Sequence, residues 1–303
     1  MQAAIPILES ALEGALDDAG AARLADARRT FAEGVDSIRF GSTLSQLSRT
    51  IKPREIVWQA STLDAAEALL ADWRPERWNT LETARVLAIL AAPDQGGADF
   101  ERAVLDAFTY ADEGELCALL KSLPLLPDAG RFVWRAGEGC RSNMRTVFES
   151  AACDSPYAAE QFDDVAWKQA LLKSLFVGAP LWRIRGLDRR LSEDLARMAL
   201  DYVDERRSAG RTVPTELWLC LGPFGGDRAA EALERELDAA APVTRAAVGL
   251  ALARGEHHER LASLVSSETD ADVREFIETA AGECSQDRFR ELDGARAFEL
   301  VRN

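Results

Sequence analysis

Apolar residues recur along this chain at the three- and four-residue spacing of a helix face. They do not alternate as they would in a half-buried strand. In STLDAAEALLADW the apolar positions are Leu63, Ala66, Leu69 and Leu70, with Ser61 placed to cap and Asp64 three residues on. In NTLETARVLAILAA, Asn79 caps, Glu82 stands at the third helical position, and Leu81, Ala84, Val86, Leu87 and Leu90 fill the apolar face. ADFERAVLDAFTYADEGELCALLKSLPLLP predicts two short helices, broken near 111–114 and stopped by Pro124 and Pro127. DLARMALDYVDERRSAGR, at 194–211, carries a stripe of Leu195, Met198, Ala199, Tyr202 and Val203, which reads as core. Arg206, Arg207 and Arg211 close that helix, where cations suit the dipole. No segment sustains strand alternation with β-branched residues, so the expected fold is all-α.

The C-terminal third carries a weak repeat. APVTRAAVGLALARGE at 241–256 aligns with ADVREFIETAAGE at 271–283, and Val243 and Val273 stand 30 residues apart, with HERLASLVSS between. Two helices per unit of about 30 residues is the pattern of HEAT-like repeats, whose helix pairs must stack to bury their apolar faces. The helix-pair rhythm also fits 62–92 and 98–124. The expected architecture is an irregular HEAT-like α-solenoid of stacked antiparallel helix pairs, with a compact helical bundle as the alternative. Residues 1–58 are less regular, with Gly41 and Pro53 as breakers, and read as an irregular N-terminal cap. A helical array over 59–240 and HEAT-like repeats over 241–303 complete one all-α domain spanning 1–303.

Charge narrows the function. The chain is 47% apolar and 29% charged, with a net charge of −15. That balance argues against general nucleic-acid binding and against tight docking on anionic lipid. No apolar run approaches the roughly 20 residues that span a bilayer. The N-terminal stretch places Glu9, Glu13, Asp17 and Asp18 where a leader would be basic, so a cytoplasmic location is expected.

Several candidate chemistries fall away. The five cysteines, Cys117, Cys140, Cys153, Cys220 and Cys284, show no C-x-x-C spacing, so several read as small core hydrophobes. His257 and His258 are the only histidines, and adjacent positions on a helix diverge, so no zinc site is expected. GPFGGD at 222–227 precedes a helix, yet lacks the Lys-Ser/Thr of a phosphate loop and reads as a helix–helix turn. Asp163, Asp164, Asp201, Asp204 and Glu205 read as solvated faces or caps. No cofactor is expected.

One stretch departs from this background. Residues 141–190 carry a net charge of +2, against −17 for the rest of the chain. Arg141 and Arg145 are one helical turn apart, as are Gln169 and Lys173, so each pair presents donors on one face. Trp167, Leu171, Leu172, Leu175 and Phe176 point inward. A CDSPY turn joins the two helices, which predicts antiparallel neighbours. Arg141, Asn143, Arg145, Gln169 and Lys173 would then line a groove for an anion, a metabolite or a partner, with Asp154 and Trp167 beside it and Tyr157 at its rim. The competing account is that the arginines pair with Glu149, Asp154 or Asp164 and hold the turn. Two rivals to a binding protein stay open: an enzyme using Asp, Tyr and Arg groups here on a phosphorylated or prenylated substrate, and a pure protein scaffold.

The segment from about 139 to 224 resembles the EboA family of bacterial metabolite-traffic proteins. The resemblance rests on Pro156-Tyr157, Phe162, Trp167, Gln169, Leu172-Lys173, Leu175-Phe176, Gly186-Leu187-Asp188, the ERRSAGR run and LW…GPF. Where the family often reads Trp-Asn-Gln and Asn-Pro-Tyr, this chain has Trp167-Lys168-Gln169 and Ser155-Pro156-Tyr157. The part before residue 139 is similar only in helical character. The resemblance implies an accessory protein of secondary-metabolite or pigment-precursor handling. Its partners would be a small metabolite or precursor and other proteins of one gene cluster, including a membrane prenyltransferase-like protein. It carries no assigned catalytic residues.

Overall fold

A computed structural model describes residues 3–34, 36–237 and 241–292. The described residues are α-helical with short 3-10 turns, and their only β pairing is an isolated bridge between Glu55 and Asn79. The chain divides into two compact units, Met1–Lys173 and Ser174–Asn303, with the division inside one helix. Among the described residues, no helix is long and apolar enough to cross a membrane.

The first unit comprises α1 (Ala4–Leu12), α2 (Asp18–Ala32), α3 (Ser37–Thr50), α4 (Ala60–Leu69), α5 (Thr80–Leu90), α6 (Ala98–Tyr110), α7 (Glu113–Ser122), α8 (Val133–Arg141), α9 (Arg145–Ala152), α10 (Tyr157–Gln161) and α11 (Asp164–Val177) as far as Lys173. Its centre is α5, which is buried on nearly all sides and packs against α1, α2, α3 and α7. The expected capping box starts it: Asn79 Oδ1 accepts from the Leu81 and Glu82 amides, and Glu82 accepts from the Asn79 amide. Asp112 and Glu115 make an equivalent box at the start of α7. The exception in the apolar centre is Arg85, only 1% exposed. Its Nε donates to the Leu44 carbonyl at 3.2 Å, and its guanidinium lies 3.5 Å from Glu115. Burial pushes this guanidinium down from its ordinary range, while Glu115 pulls it back up.

Residues 1–58 differ from the irregular region expected. The described ones form three regular helices, α1, α2 and α3, all of which pack on α5. Gly41 does not break α3; Phe40, Leu44 and Leu47 bury one stripe across it, and tertiary packing outweighs the local penalty. Ser61 does not cap α4, which begins at Ala60 without a side-chain cap.

The second unit contains α12 (Glu193–Ser208), α13 (Gly226–Leu237), α14 (Pro242–Arg254), α15 (His258–Ser267) and α16 (Ala271–Ala280). Here α14 is central and touches α13, α15, α16 and the 3-10 turn Thr215–Cys220. The two echoing sequence runs are α14 and α16, which lie against each other. A Cβ on Gly249 would meet Ile277 Cγ1 at 2.5 Å, so only glycine permits this approach. GPFGGD is the expected helix–helix turn, with Asp227 inside the first turn of α13. A polar knot centred on the buried Arg254 ties the unit together. Arg254 donates to Asp188 at 2.6 Å and to the Cys284 carbonyl at 2.7 Å, and the Gln286 amide donates to the other Asp188 oxygen at 2.8 Å.

Candidate functional site

The chain leaves helical geometry between Arg141 and Arg145. Ser142 is extended, and its hydroxyl accepts from the Met144 amide at 3.0 Å, a local bond that competes with the helix ladder. Arg141 therefore ends α8 and Arg145 opens α9, and the expected shared face does not exist. Arg145 turns to Glu149, with Nε 2.5 Å from Oε1, so for this residue the competing account holds. The pair is solvent-exposed and adds little stability.

Arg141 behaves differently. Its side chain makes no hydrogen bond or ion pair among the described residues, and its guanidinium lies over Gly137, one turn back on α8. Opposite stands α11, started by Asp163, whose Oδ1 accepts from the Ala166 amide at 2.7 Å. Ala166 and Ala170 leave room between the helices, while Gln169 and Lys173 project from the same side. The result is a groove of about 220 Å³ bordered by Gly137, Cys140, Arg141 and Phe162 on one side and by α11 on the other. Lys173 Nζ donates to Asn143 Oδ1 at 2.6 Å and so ties α11 to the α8–α9 connection. Among the described residues, no carboxylate lines the groove. Arg141 also borders a second hollow of about 410 Å³ that includes Phe108, Leu116, Leu120 and Met144.

Of the residues expected together, Arg141, Asn143, Gln169 and Lys173 are gathered, and four are not. Tyr157 is not at a rim: it is buried, its hydroxyl donates to the Ala129 carbonyl at 2.7 Å, and burial pushes its pKa above the usual phenol range. Asp154 is buried with φ of 58°, its carbonyl accepts from the Arg74 amide at 2.8 Å, and its carboxylate lies 3.7 Å from Arg77. It faces the segment before α5, away from the groove. Trp167 is core, and Arg145 is occupied with Glu149. Phe176, expected to point inward, is exposed.

Pooling charge over 141–190 combined two populations. Arg183, Arg185, Arg189 and Arg190 belong to the second unit, where Arg183 and Arg185 are buried and Arg185 pairs with Asp287. Residues that spacing did not single out complete the groove: Gly137, Cys140, Ala166 and Ala170. Their signal was size, since small residues one turn apart on α11 open the space that Gln169 and Lys173 overlook. Burial pushes the Cys140 thiol up to about 12, so it is no nucleophile at neutral pH. Among the described residues, no group of three or more His, Cys, Asp and Glu side chains is arranged to hold a metal ion.

A family model described as metabolite traffic protein EboA matches residues 4–222. No curated protein and no solved structure matches the chain. The family match covers most of the chain and begins far before residue 139, so the N-terminal helices share in more than helical character. The chain belongs to the EboA family.

Proposed function

From that membership as premise, we propose that the protein is a non-catalytic accessory of metabolite traffic which holds an anionic metabolite in the groove between α8 and α11. The family description supplies the traffic role. The observation that carries the ligand class is Arg141: a guanidinium without a protein partner among the described residues, beside Lys173 and Gln169, in a groove with no carboxylate. Arginine's planar fork suits a carboxylate or phosphate, and Lys173 adds a point charge already oriented by Asn143. In a chain of net charge −15, such a groove concentrates an anion locally. Its small volume suits a headgroup rather than a whole enzyme substrate, and Asp154 and Tyr157, which an enzyme would need there, face elsewhere.

In this reading the cargo is a secondary-metabolite precursor in the bacterial cytoplasm, passed to proteins of the same gene cluster, a membrane prenyltransferase-like protein among them. The packing of α14 against α16, with α15 touching both, supports a HEAT-like repeat in the C-terminal third.

Calorimetric titration of the full chain with inorganic phosphate and with succinate tests the ligand class. Binding of at least one, weakened about tenfold or more by Arg141→Ala and unchanged by Arg145→Ala, is the expected result. Equal weakening by both variants, or binding of neither anion, refutes it.

A further inference from the structure

Another hollow in the first unit, between α3 and α6, has the opposite character. On α3, Ser37, Gly41 and Ser45 form a row of small residues, and Ala107 and Ala111, at the end of α6, border the same space. Between these small residues the helices enclose about 420 Å³. Gly41 is the informative position. It lies inside a helix, where glycine is less stable than alanine. A Cβ built on it meets nothing within 4 Å, so no close approach of backbone requires glycine there. What glycine preserves at this point is empty volume.

The lining is acidic and, among the described residues, contains no Lys, Arg or His. Glu115 is buried; its Oε1 accepts from Ser45 Oγ at 2.6 Å and lies 3.5 Å from the Arg85 guanidinium, so its charge is balanced from behind. Asp106 is half-buried and has no hydrogen-bonding or cationic partner among the described residues. Two large side chains frame the opening and are left in water: Ile38 is 82% exposed and Tyr110 is 87% exposed. An uncompensated carboxylate inside an open hollow, with two apolar side chains at its edge, is a combination with one chemical complement.

We infer that this hollow binds a small organic cation with an apolar body. Its ammonium or guanidinium head lies against Asp106 and the serine hydroxyls, and its body lies between Ile38 and Tyr110. The Tyr110 ring also offers its electron-rich face to a cation. The site is distinct from the groove along α11 and does not depend on it.

Calorimetry on the full chain with phenethylammonium, phenethyl alcohol and phenylacetate, three probes of similar size, tests this assignment. The ammonium is expected to bind about tenfold or more tightly than the alcohol or the anion. Asp106→Asn, a change of charge at a partly exposed position, is expected to remove that preference. Gly41→Leu fills the hollow and is expected to abolish binding while the unfolding temperature holds or rises, because leucine is the better helix former. Equal binding of the three probes, no binding of the ammonium, or a preference that survives Asp106→Asn overturns the inference.

Discussion

Arg85 and Glu115 show how a single pair can organise a core. Both are buried, Glu115 also closes the capping box of α7, and Arg85 crosses from α5 to the Leu44 carbonyl of α3. Removing the carboxylate leaves a buried cation uncompensated, which costs far more than losing an exposed pair. Glu115→Ala is expected to lower stability by about 3–5 kcal/mol in urea unfolding. Arg145→Ala, which loses only an exposed pair, is expected to change it by less than about 1 kcal/mol. The buried thiols carry a pH signature. Cys140 and Cys220 are pushed up to about 12 by burial, from an ordinary value of 9.0. The folded chain keeps them protonated where the unfolded chain ionises, so stability is complete below that ordinary value and declines as pH rises from it toward 12. Tyr157 acts with the same sign. Thermal unfolding followed from pH 8 to 11 is expected to show this decline, and a Cys140→Ala/Cys220→Ala variant should show a shallower one. The burial of Cys117, Cys140, Cys153 and Cys220 agrees with their reading as small hydrophobes, since their apolar phase was visible. The partner of Tyr157 was not, because the Ala129 carbonyl is brought to it only by the fold.

At the scale of elements, what was legible is what is local. The Asn79–Glu82 box, the Asp163 cap and the helix stop before Pro124 depend on residues within one turn of one another. Arg141 and Arg145 misled because i, i+4 spacing has meaning only if the helix is continuous, and Ser142 interrupts it. The N-terminal helices were obscured by glycine, serine and threonine whose cost is offset by burial of Phe31, Phe40 and Leu47. The 30-residue echo was legible in period, whereas the contact that shapes it, Gly249 against Ile277, is a matter of distance. Gly249→Ala normally favours a helix, yet here the added methyl crowds Ile277. Overpacking of this kind is expected to destabilise by about 1–3 kcal/mol. Ile277→Val in that background should recover part of the loss, as a double-mutant cycle by chemical denaturation would record.

On the scale of the whole molecule, the net charge of −15 conceals local differences. Within the first unit, one hollow is acidic around Asp106 and one groove is basic around Arg141 and Lys173. The basic residues between 183 and 190 belong to the second unit, where Arg185 is committed to Asp287 and Asp188 to Arg254 and Gln286. Charge counted along a window therefore overstates how many of its cations border the groove. The central claim is that Arg141 and Lys173 hold an anionic metabolite. Native mass spectrometry of the full chain and of Arg141→Ala, purified in parallel from the same host, measures it most directly. The account predicts a retained small molecule of acidic character on the parent chain that is absent from Arg141→Ala, with both proteins folded. A retained molecule that is neutral or cationic, or one that Arg141→Ala keeps in equal amount, would contradict it.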